Sequence, residues 1–571
     1  MMRLRLVTWI VAGIFLLLGV GLLNLEVIHG RAYRELGNRN CIRLVSQDGS
    51  RGRITDRQGQ VIADSRLSYD LMLLPQDEAQ KEKIILSASR ILLKNARDLS
   101  SAFNNGYISS SIPVTIARNI GLKEAIALDE LKVDLPAIIV QANPLRHYPQ
   151  GKLASHVLGY VSEIDRWRLT KLEDYGYKTK DIVGFGGVEE KYDYYLRQEE
   201  GGISFEVDHR GKFIRTLGFK PPLNGKDIQL TLNIKIQKIA EDYLSGRKGC
   251  VIIMDPYTGE IFAMASSPAF KPEAFAEKNN SAISSLLNNS NSPLMNRAVS
   301  AACAPASVFK LVVASAALEN KKINLNTSFV CQGSTLIGRR EFKCWNTHGA
   351  QNLQEAITHS CDVFFYKTGL LVGPQGIHDY ALKLGFARTS GFELPYEVPG
   401  FIPSPLWRKI NKFKNWFDGD TANMSIGQGE VLVTPLQVTR MLAVFANGGY
   451  LVTPYIVKAI DGRDLSAYQR KSERVHLRKG TIDAIKEDLK SVVSSPSGTA
   501  NVLASLPVSV AGKTGTAQAP PRQAHAWFTG FFPSKNPKFV ICVFLEHGGP
   551  GYVSCVVAKQ IIQEMNNQGL I

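Results

Sequence analysis

An unbroken apolar run near the N-terminus does most to limit how this chain can fold. Arg3 and Arg5 precede Leu6 to Leu23, a stretch in which Thr8 is the only polar side chain. At 1.5 Å per residue such a helix is roughly 27 Å long, enough to cross the hydrocarbon of a bilayer. A cleaved signal peptide is the alternative reading, because Gly19-Val20-Gly21 is weakly like a cleavage site. Leu22, Leu23, Leu25, Val27 and Ile28 carry the apolar stretch past that point and favour an uncleaved anchor. The leading arginines then hold the N-terminus in the cytoplasm and put everything after about residue 30 outside. No later stretch is long and apolar enough to span.

With 571 residues the chain exceeds one ordinary core, so an anchor and two further domains are expected. A net charge of +16 attracts polyanions, which include nucleic acid, anionic lipid and anionic wall polymer. No zinc-finger spacing, RNA-recognition signature or arginine-rich tail supports nucleic acid, and the anchor favours lipid and wall. The eight cysteines, Cys41, Cys250, Cys303, Cys331, Cys344, Cys361, Cys542 and Cys555, permit disulfides without proving any.

After the anchor (1–28), residues 25–40 read as a helix continuing outward. The segment from Arg51 to Ile62 reads as two short strands about a Gly turn, and 75–135 as an inserted helical lobe. The Gly and Pro clusters at 146–151, 184–190 and 201–202 read as structural punctuation, the last before a strand at Ile203 to His209. This gives a pedestal over 29–227. A second domain over 228–571 opens with strands Cys250 to Met254 and Ile261 to Ala265 around Asp255-Pro-Tyr-Thr-Gly259, a hairpin signal. It closes with strands at Val508 to Ala511, Ala526 to Phe532 and Phe539 to Leu545. Helices are expected at Asn233 to Leu244 and Val556 to Asn566. Strands, a long helical insertion and strands again fit an α+β domain: an antiparallel sheet with helices on both faces and a helical subdomain.

Three segments carry chemistry. In the apolar helix Ala304 to Leu318, Ser307 and Lys310 lie three apart and share a face. Ser307 sits at the positive end of the helix dipole, and a desolvated Lys310 near a second cation can act as base to its hydroxyl. Ser360-Cys361-Asp362 puts a hydroxyl and a carboxylate on a turn between helical patterns. Lys513-Thr514-Gly515-Thr516 continues a strand, with Gly515 allowing close approach of a ligand backbone.

In that order the three segments resemble the SxxK, SxN and KTG motifs of the penicillin-binding proteins, reading SVFK, SCD and KTG here. Asp255-Pro-Tyr-Thr-Gly-Glu-Ile, Ser425-Ile-Gly-Gln-Gly-Glu, Thr434-Pro-Leu-Gln, Ser497-Gly-Thr-Ala and Trp527-Phe-Thr-Gly extend the likeness across 230–571. Arg51-Gly-Arg-Ile-Thr-Asp-Arg, His147-Tyr-Pro-Gln-Gly and Gly186-Gly-Val-Glu resemble the pedestal of class B enzymes. No glycosyltransferase signature is visible. Asp362, followed by Val363-Phe-Phe-Tyr, resembles the elongation-type penicillin-binding protein 2 group more than the division type.

The resemblance implies a serine β-lactamase-like transpeptidase fold and a peptidoglycan D,D-transpeptidase of the cell membrane, its catalytic domain periplasmic, working in elongation and cell shape. Ser307 would attack the penultimate D-alanine carbonyl of a stem peptide, Lys310 would take its proton, and Ser360 would relay that proton to the departing amine. Asp362 would orient. Lys513 would keep Lys310 unprotonated and, with Thr514 and Thr516, hold the terminal carboxylate, while the N–H groups of Ser307 and Thr516 would form the oxyanion hole. β-Lactams are implied inhibitors, and a multi-span lipid-linked glycan polymerase with the elongation machinery the implied partner. A division-type enzyme, a β-lactam sensor or scaffold without turnover, and a secreted β-lactamase are the rival readings. The single span and the three intact motifs disfavour a sensor or scaffold, and the anchor disfavours the β-lactamase.

No organic cofactor is implied. Cys331, Cys344, His348 and Cys361, with 12, 3 and 12 residues between them, make a Cys3His set suited to structural zinc. The resemblance adds zinc at corresponding positions of some elongation-type enzymes. A Cys331 to Cys344 disulfide remains the alternative. The basic stretch Arg408 to Lys414 and His525 read as a solvated face and a strand-edge residue.

Overall fold

The computed structural model describes the whole chain except residues 1, 32, 34–41, 75–77, 109–112, 136 and 208–212. The apolar run forms the helix Met2–Leu23 and continues as a wider turn, Asn24–Ile28. Leu6–Ile28 is the one helix among the described residues long and apolar enough to cross a membrane. Most of the continuation expected to residue 40, and Cys41, lie outside the described residues.

The chain divides into two compact units, each built from several segments: 1–51, 65–145 and 198–225, and then 52–64, 146–197 and 226–571. In the first, Ile42–Gln47, Gly201–Val207 and Phe213–Lys220 form a three-stranded antiparallel sheet. The expected helical lobe is mixed. Its helices Glu78–Leu92, Ala96–Gly106 and Leu122–Glu130 surround a strand, Val114–Ile120, paired antiparallel to Tyr69–Leu73. Leu71, Leu73, Ile84, Leu99, Phe103, Ile116 and Leu128 make its core. Val114, Thr115 and Ile116 are β-branched, with Val114 and Ile116 buried on either side of the half-buried Thr115, which favours a strand over a helix there.

In the second unit five strands form one antiparallel sheet: β1 (Gly249–Met254), β2 (Ile261–Ser267), β3 (Ala511–Ala517), β4 (His525–Phe532) and β5 (Phe539–Leu545), in the order β2-β1-β5-β4-β3. The β1–β2 hairpin closes as expected, Asp255 Oδ1 accepting the Tyr257 and Thr258 N–H groups at 2.7 and 3.0 Å. The third strand begins at Ala511 rather than Val508, so the lysine motif lies inside it. Its partner β4 ends at Phe532 before Pro533, which cannot donate to a ladder, and Ala511 faces Phe531.

β1 and β5 are buried along their whole length, so both sheet faces are covered. Helices of this unit include α1 (Ile234–Leu244), α2 (Lys310–Glu319), α3 (Asp362–Val372), α4 (Pro405–Lys412), α5 (Pro435–Ala446), α6 (Lys479–Ser494) and α7 (Gly551–Asn567). α1 and α7 pack on each other and on the sheet, α5 packs on β1, β4 and β5, and α2, α3 and α6 form the helical subdomain. α5 is buried at every residue, and its Pro435 stands at the first helical position inside a Thr434–Gln437 capping box. Ile54–Thr55 pairs parallel with Ile228–Gln229, tying 52–64 into this unit. The Arg146–Glu189 ion pair, 2.7 Å and fully buried, is also bonded to the Gly52 carbonyl and does the same for 146–197.

One buried acid works against the fold. Asp488 on α6 is buried, its Oδ2 has no partner among the described residues, and burial first, then Glu487, pushes its carboxyl up to about 7. The unfolded chain releases that proton near pH 4, so stability falls as pH rises from about 4 through 7. Asp488→Asn is therefore expected to stabilise the full-length protein by about 2 kcal/mol at pH 8 and by nothing measurable at pH 4. Thermal unfolding in detergent at the two pH values checks this; equal gains would contradict it.

Candidate active site

The hydroxyl of the first motif sits on a tight turn before the helix expected to carry it. Ala306–Phe309 is a 3-10 turn, and α2 begins at Lys310. The turn is set by Ala306, which has φ of +49° and donates its N–H to the Gly427 carbonyl at 3.0 Å. Gly427 must be glycine: a Cβ there would meet the Ala306 oxygen at 2.3 Å. Ser307 is half-buried and Lys310 wholly buried.

Lys310 Nζ donates to Asp362 Oδ1 at 2.7 Å, to the Ser360 carbonyl at 2.8 Å and to Ser360 Oγ at 3.2 Å. Among the described residues no hydrogen bond joins it to the Ser307 hydroxyl. Asp362 is thus the direct ion-pair partner of the buried amine, a larger part than orientation alone. Ser360 has φ of +55°, like Ala306 a left-handed conformation uncommon for a non-glycine residue. The two strained residues sit in the turns that present Ser307 and Asp362.

Lys513 on β3 is also fully buried. Burial and then the charge of Lys310 hold its amine well below the usual lysine range, with Asp362 opposing. β3 is the edge strand of the sheet. The Thr516 carbonyl accepts from Gln428 Nε2 at 3.3 Å on the side away from β4. A residue in an antiparallel strand sends its N–H and C=O the same way, so the Thr516 N–H also faces that open edge. Its hydroxyl accepts the Gly551 N–H at 2.8 Å at the start of α7, and Thr514 Oγ1 donates to Thr499 Oγ1 at 2.9 Å.

Gly515 serves a different close approach from the one expected. A Cβ there would lie 2.9 Å from the Pro305 oxygen and 3.3 Å from Val308, so the strand rides directly on the nucleophile turn.

Cys331, Cys344, His348 and Cys361 are brought together, one ligand atom from each lying within 4.8 Å of the others. His348 Nδ1 is 3.6 Å from Cys331 Sγ and 3.5 Å from Cys344 Sγ. Tetrahedral zinc with bonds of about 2.3 Å to sulfur and 2.05 Å to nitrogen separates those atoms by about 3.6 Å, so the donor set fits the ion. All seven described cysteines are free, Cys331 and Cys344 among them. The Cys361 thiol bonds Cys344, drawing the Cys344 thiol down to about 4 and pushing its own up. The Asp362 N–H donates to Cys344 Sγ at 3.2 Å, which joins the cluster to the second motif.

Sequence reasoning missed Trp345, whose Nε1–H donates to the His359 and Ser360 carbonyls at 3.1 and 3.3 Å. It assigned no role to Gln428 or Thr499 either. A tryptophan directly after Cys344 was the available signal for the first. His525 Nδ1 accepts the His547 N–H at 3.0 Å at the end of the sheet, as a strand-edge residue would.

Residues 249–566 match the penicillin binding protein transpeptidase domain, and residues 46–230 match the penicillin-binding protein dimerisation domain. The chain belongs to the class B penicillin-binding proteins. It is 32% identical to the peptidoglycan D,D-transpeptidase MrdA of Escherichia coli K12, over 97% of this chain and 92% of that one. Penicillin-binding protein 2 of Helicobacter pylori, solved in complex with MreC, superposes with a TM-score of 0.82 at 27% identity, over 93% and 99% of the two chains. A chain of a peptidoglycan synthase complex that coordinates polymerization and crosslinking gives 0.73 at 29%, over 100% and 99%. Among class B penicillin-binding proteins, this one stands with the penicillin-binding protein 2 group of D,D-transpeptidases.

Gly515→Ala is expected to lower the rate of acylation by penicillin about 100-fold while leaving the protein folded, because the strand must move off the Ser307 turn. Stopped-flow acylation alongside a thermal melt reads both; an unchanged rate would show that the contact is dispensable.

Proposed function

We propose that this class B penicillin-binding protein cross-links peptidoglycan through an acyl-enzyme on Ser307 during cell elongation. The convergence of a buried Lys310, the Ser360–Asp362 turn and the Lys513 strand on one half-buried serine carries the reading. The Ser307 oxygen attacks the penultimate D-alanine carbonyl, an ester forms, and the C–N bond to the last D-alanine breaks. The serine proton passes by Lys310 and Ser360 to the leaving amine. An amine of a second stem peptide then attacks the ester, the cross-link forms, and the serine recovers a proton.

In the resting arrangement all three Lys310 N–H bonds are engaged, so the amine must first give one up. Charge coupling between the two buried lysines supplies a trigger. A substrate carboxylate arriving at Lys513, Thr514 and Thr516 favours the charged form of Lys513, and the added repulsion favours releasing the Lys310 proton. The Thr516 N–H at the open strand edge and the Ser307 N–H would hold the oxyanion, typically worth about 3 kcal/mol per donor.

Cys331, Cys344, His348 and Cys361 would hold a structural zinc. Four protein ligands leave no open position, so its contribution is bracing of the Ser360–Asp362 turn. The matches to the dimerisation and transpeptidase domains support a pedestal over 29–227 and a catalytic domain over 228–571. The apolar helix Leu6–Ile28 within the anchor segment 1–28, with Arg3 and Arg5 ahead of it, supports a single-pass cytoplasmic-membrane protein with the catalytic domain outside. The structures solved with MreC and as a synthase complex support elongation proteins and a lipid-linked glycan polymerase as partners.

Incubation of the full-length protein with penicillin is expected to give one adduct on the peptide holding Ser307, and none in Ser307→Ala; a folded wild type without an adduct would overturn the acyl-enzyme reading. Metal analysis is expected to find about one zinc per chain, with Cys331→Ser losing the metal and acylating at least tenfold more slowly. A metal-free wild type acylating at full rate would rule the zinc out.

A further inference from the structure

The basic stretch Arg408 to Lys414 is not a plain solvated face. α4 buries none of its residues, yet Ser404 caps it, its Oγ accepting the Trp407 N–H at 3.2 Å. Two tryptophans fasten the segment. Trp407 packs on Phe401 with ring centres 4.5 Å apart, and Trp416 Nε1 donates to Thr421 Oγ1 at 2.8 Å. With both tryptophans fixed, four large apolar side chains face outward: Leu406 is 66% exposed, Ile410 59%, Phe413 89% and Phe417 66%. Lys409 and Lys414 stand among them, exposed and without an ion pair among the described residues. Solvation alone explains the lysines but not an ordered apolar stripe beside them.

The segment is also tied to the catalytic turn. Phe401 and Leu432 exchange backbone hydrogen bonds of 2.6 and 2.8 Å, and the next residue, Val433, does the same with Cys303 at 2.9 and 3.0 Å, four residues before Ser307. Lys412 pairs with Glu430 at 3.3 Å, two residues from Gln428, which holds the Thr516 carbonyl. Hydrogen bonds and an ion pair thus lead from this surface to the Ser307 turn and to the open edge of β3.

Resting on the transpeptidase reading, we infer that α4 and the loop to Phe417 form an auxiliary subsite for the peptidoglycan strand outside the cleft. Lys409 and Lys414 would meet stem-peptide carboxylates, and Leu406, Ile410 and Phe413 the sugar C–H faces and alanine methyls. The three motifs grip only the terminal dipeptide. A polymer many times longer gains affinity from a second contact at the cleft border, and the chemistry offered there, free cations beside apolar faces, matches a carboxylate-bearing glycopeptide. Continuity with the cleft favours this polymer over a lipid surface.

The test uses full-length protein in detergent, wild type against Lys409→Gln/Lys414→Gln and, separately, Ile410→Ser/Phe413→Ser. The readouts are penicillin acylation, turnover of a soluble pentapeptide, and turnover of uncross-linked pentapeptide-bearing glycan strands. For both variants KM for strands is expected to rise about tenfold with kcat within twofold, while penicillin and the soluble pentapeptide behave as with wild type. Added salt should weaken strand binding by wild type and leave the lysine variant little changed. An unchanged KM for strands overturns the subsite, and so does an equal rise for the soluble peptide, which would place the defect in the cleft. Loss of binding to phosphatidylglycerol vesicles with an unchanged KM for strands overturns it in favour of a lipid contact. Wild type that is acylated by penicillin but turns over no strands would sink the transpeptidase reading, and the subsite with it.

Discussion

Everything at this site depends on keeping an amine out of water. Lys310 is fully buried, and a buried ammonium is tolerated only where its protons find fixed acceptors. Ser360 and Asp362 supply them, from a turn 50 residues further on in the chain. That requirement accounts for much of the surrounding architecture: the apolar wall of α2 and α3, the left-handed Ser360, and the Trp345 indole that shares the Ser360 carbonyl. Nearly every feature of the second motif is a means of presenting acceptors to one nitrogen.

A second buried amine, Lys513, makes the arrangement responsive. Two ammonium groups close together without solvent cannot both be comfortable, and one carboxylate, Asp362, lies between them in influence. Burial and the Lys310 charge together hold the Lys513 amine well below the usual lysine range, with Asp362 opposing. The cysteine and histidine cluster adds stiffness from outside, since Asp362 donates its own N–H to one of the four donors.

Much of this was legible in the sequence because motifs are local. Ser307 and Lys310 are one turn apart, the hairpin at Asp255 to Gly259 is written in its turn residues, and the four residues of the cysteine and histidine cluster fall within a short span. The unread parts depend on long-range contact. Nothing near Gly427 says that it lies under Ala306, nor near Gln428 that it reaches Thr516. The expected span of the nucleophile helix failed at its first turn for the same reason, since the Gly427 carbonyl 121 positions away takes the Ala306 N–H. Gly515 carried a correct signal of close approach, but the partner is the protein's own Pro305.

The place of β3 at the end of the sheet has a consequence for what the enzyme tolerates. An unpaired edge normally invites other chains to add to it. Here the edge is seven residues long, and Gln428 occupies the Thr516 carbonyl near its end. A peptide that adds there as a sixth strand must displace the Gln428 amide from the Thr516 carbonyl, so the edge stays closed to other chains until a ligand takes that bond. Recognition through main-chain groups is indifferent to most side chains.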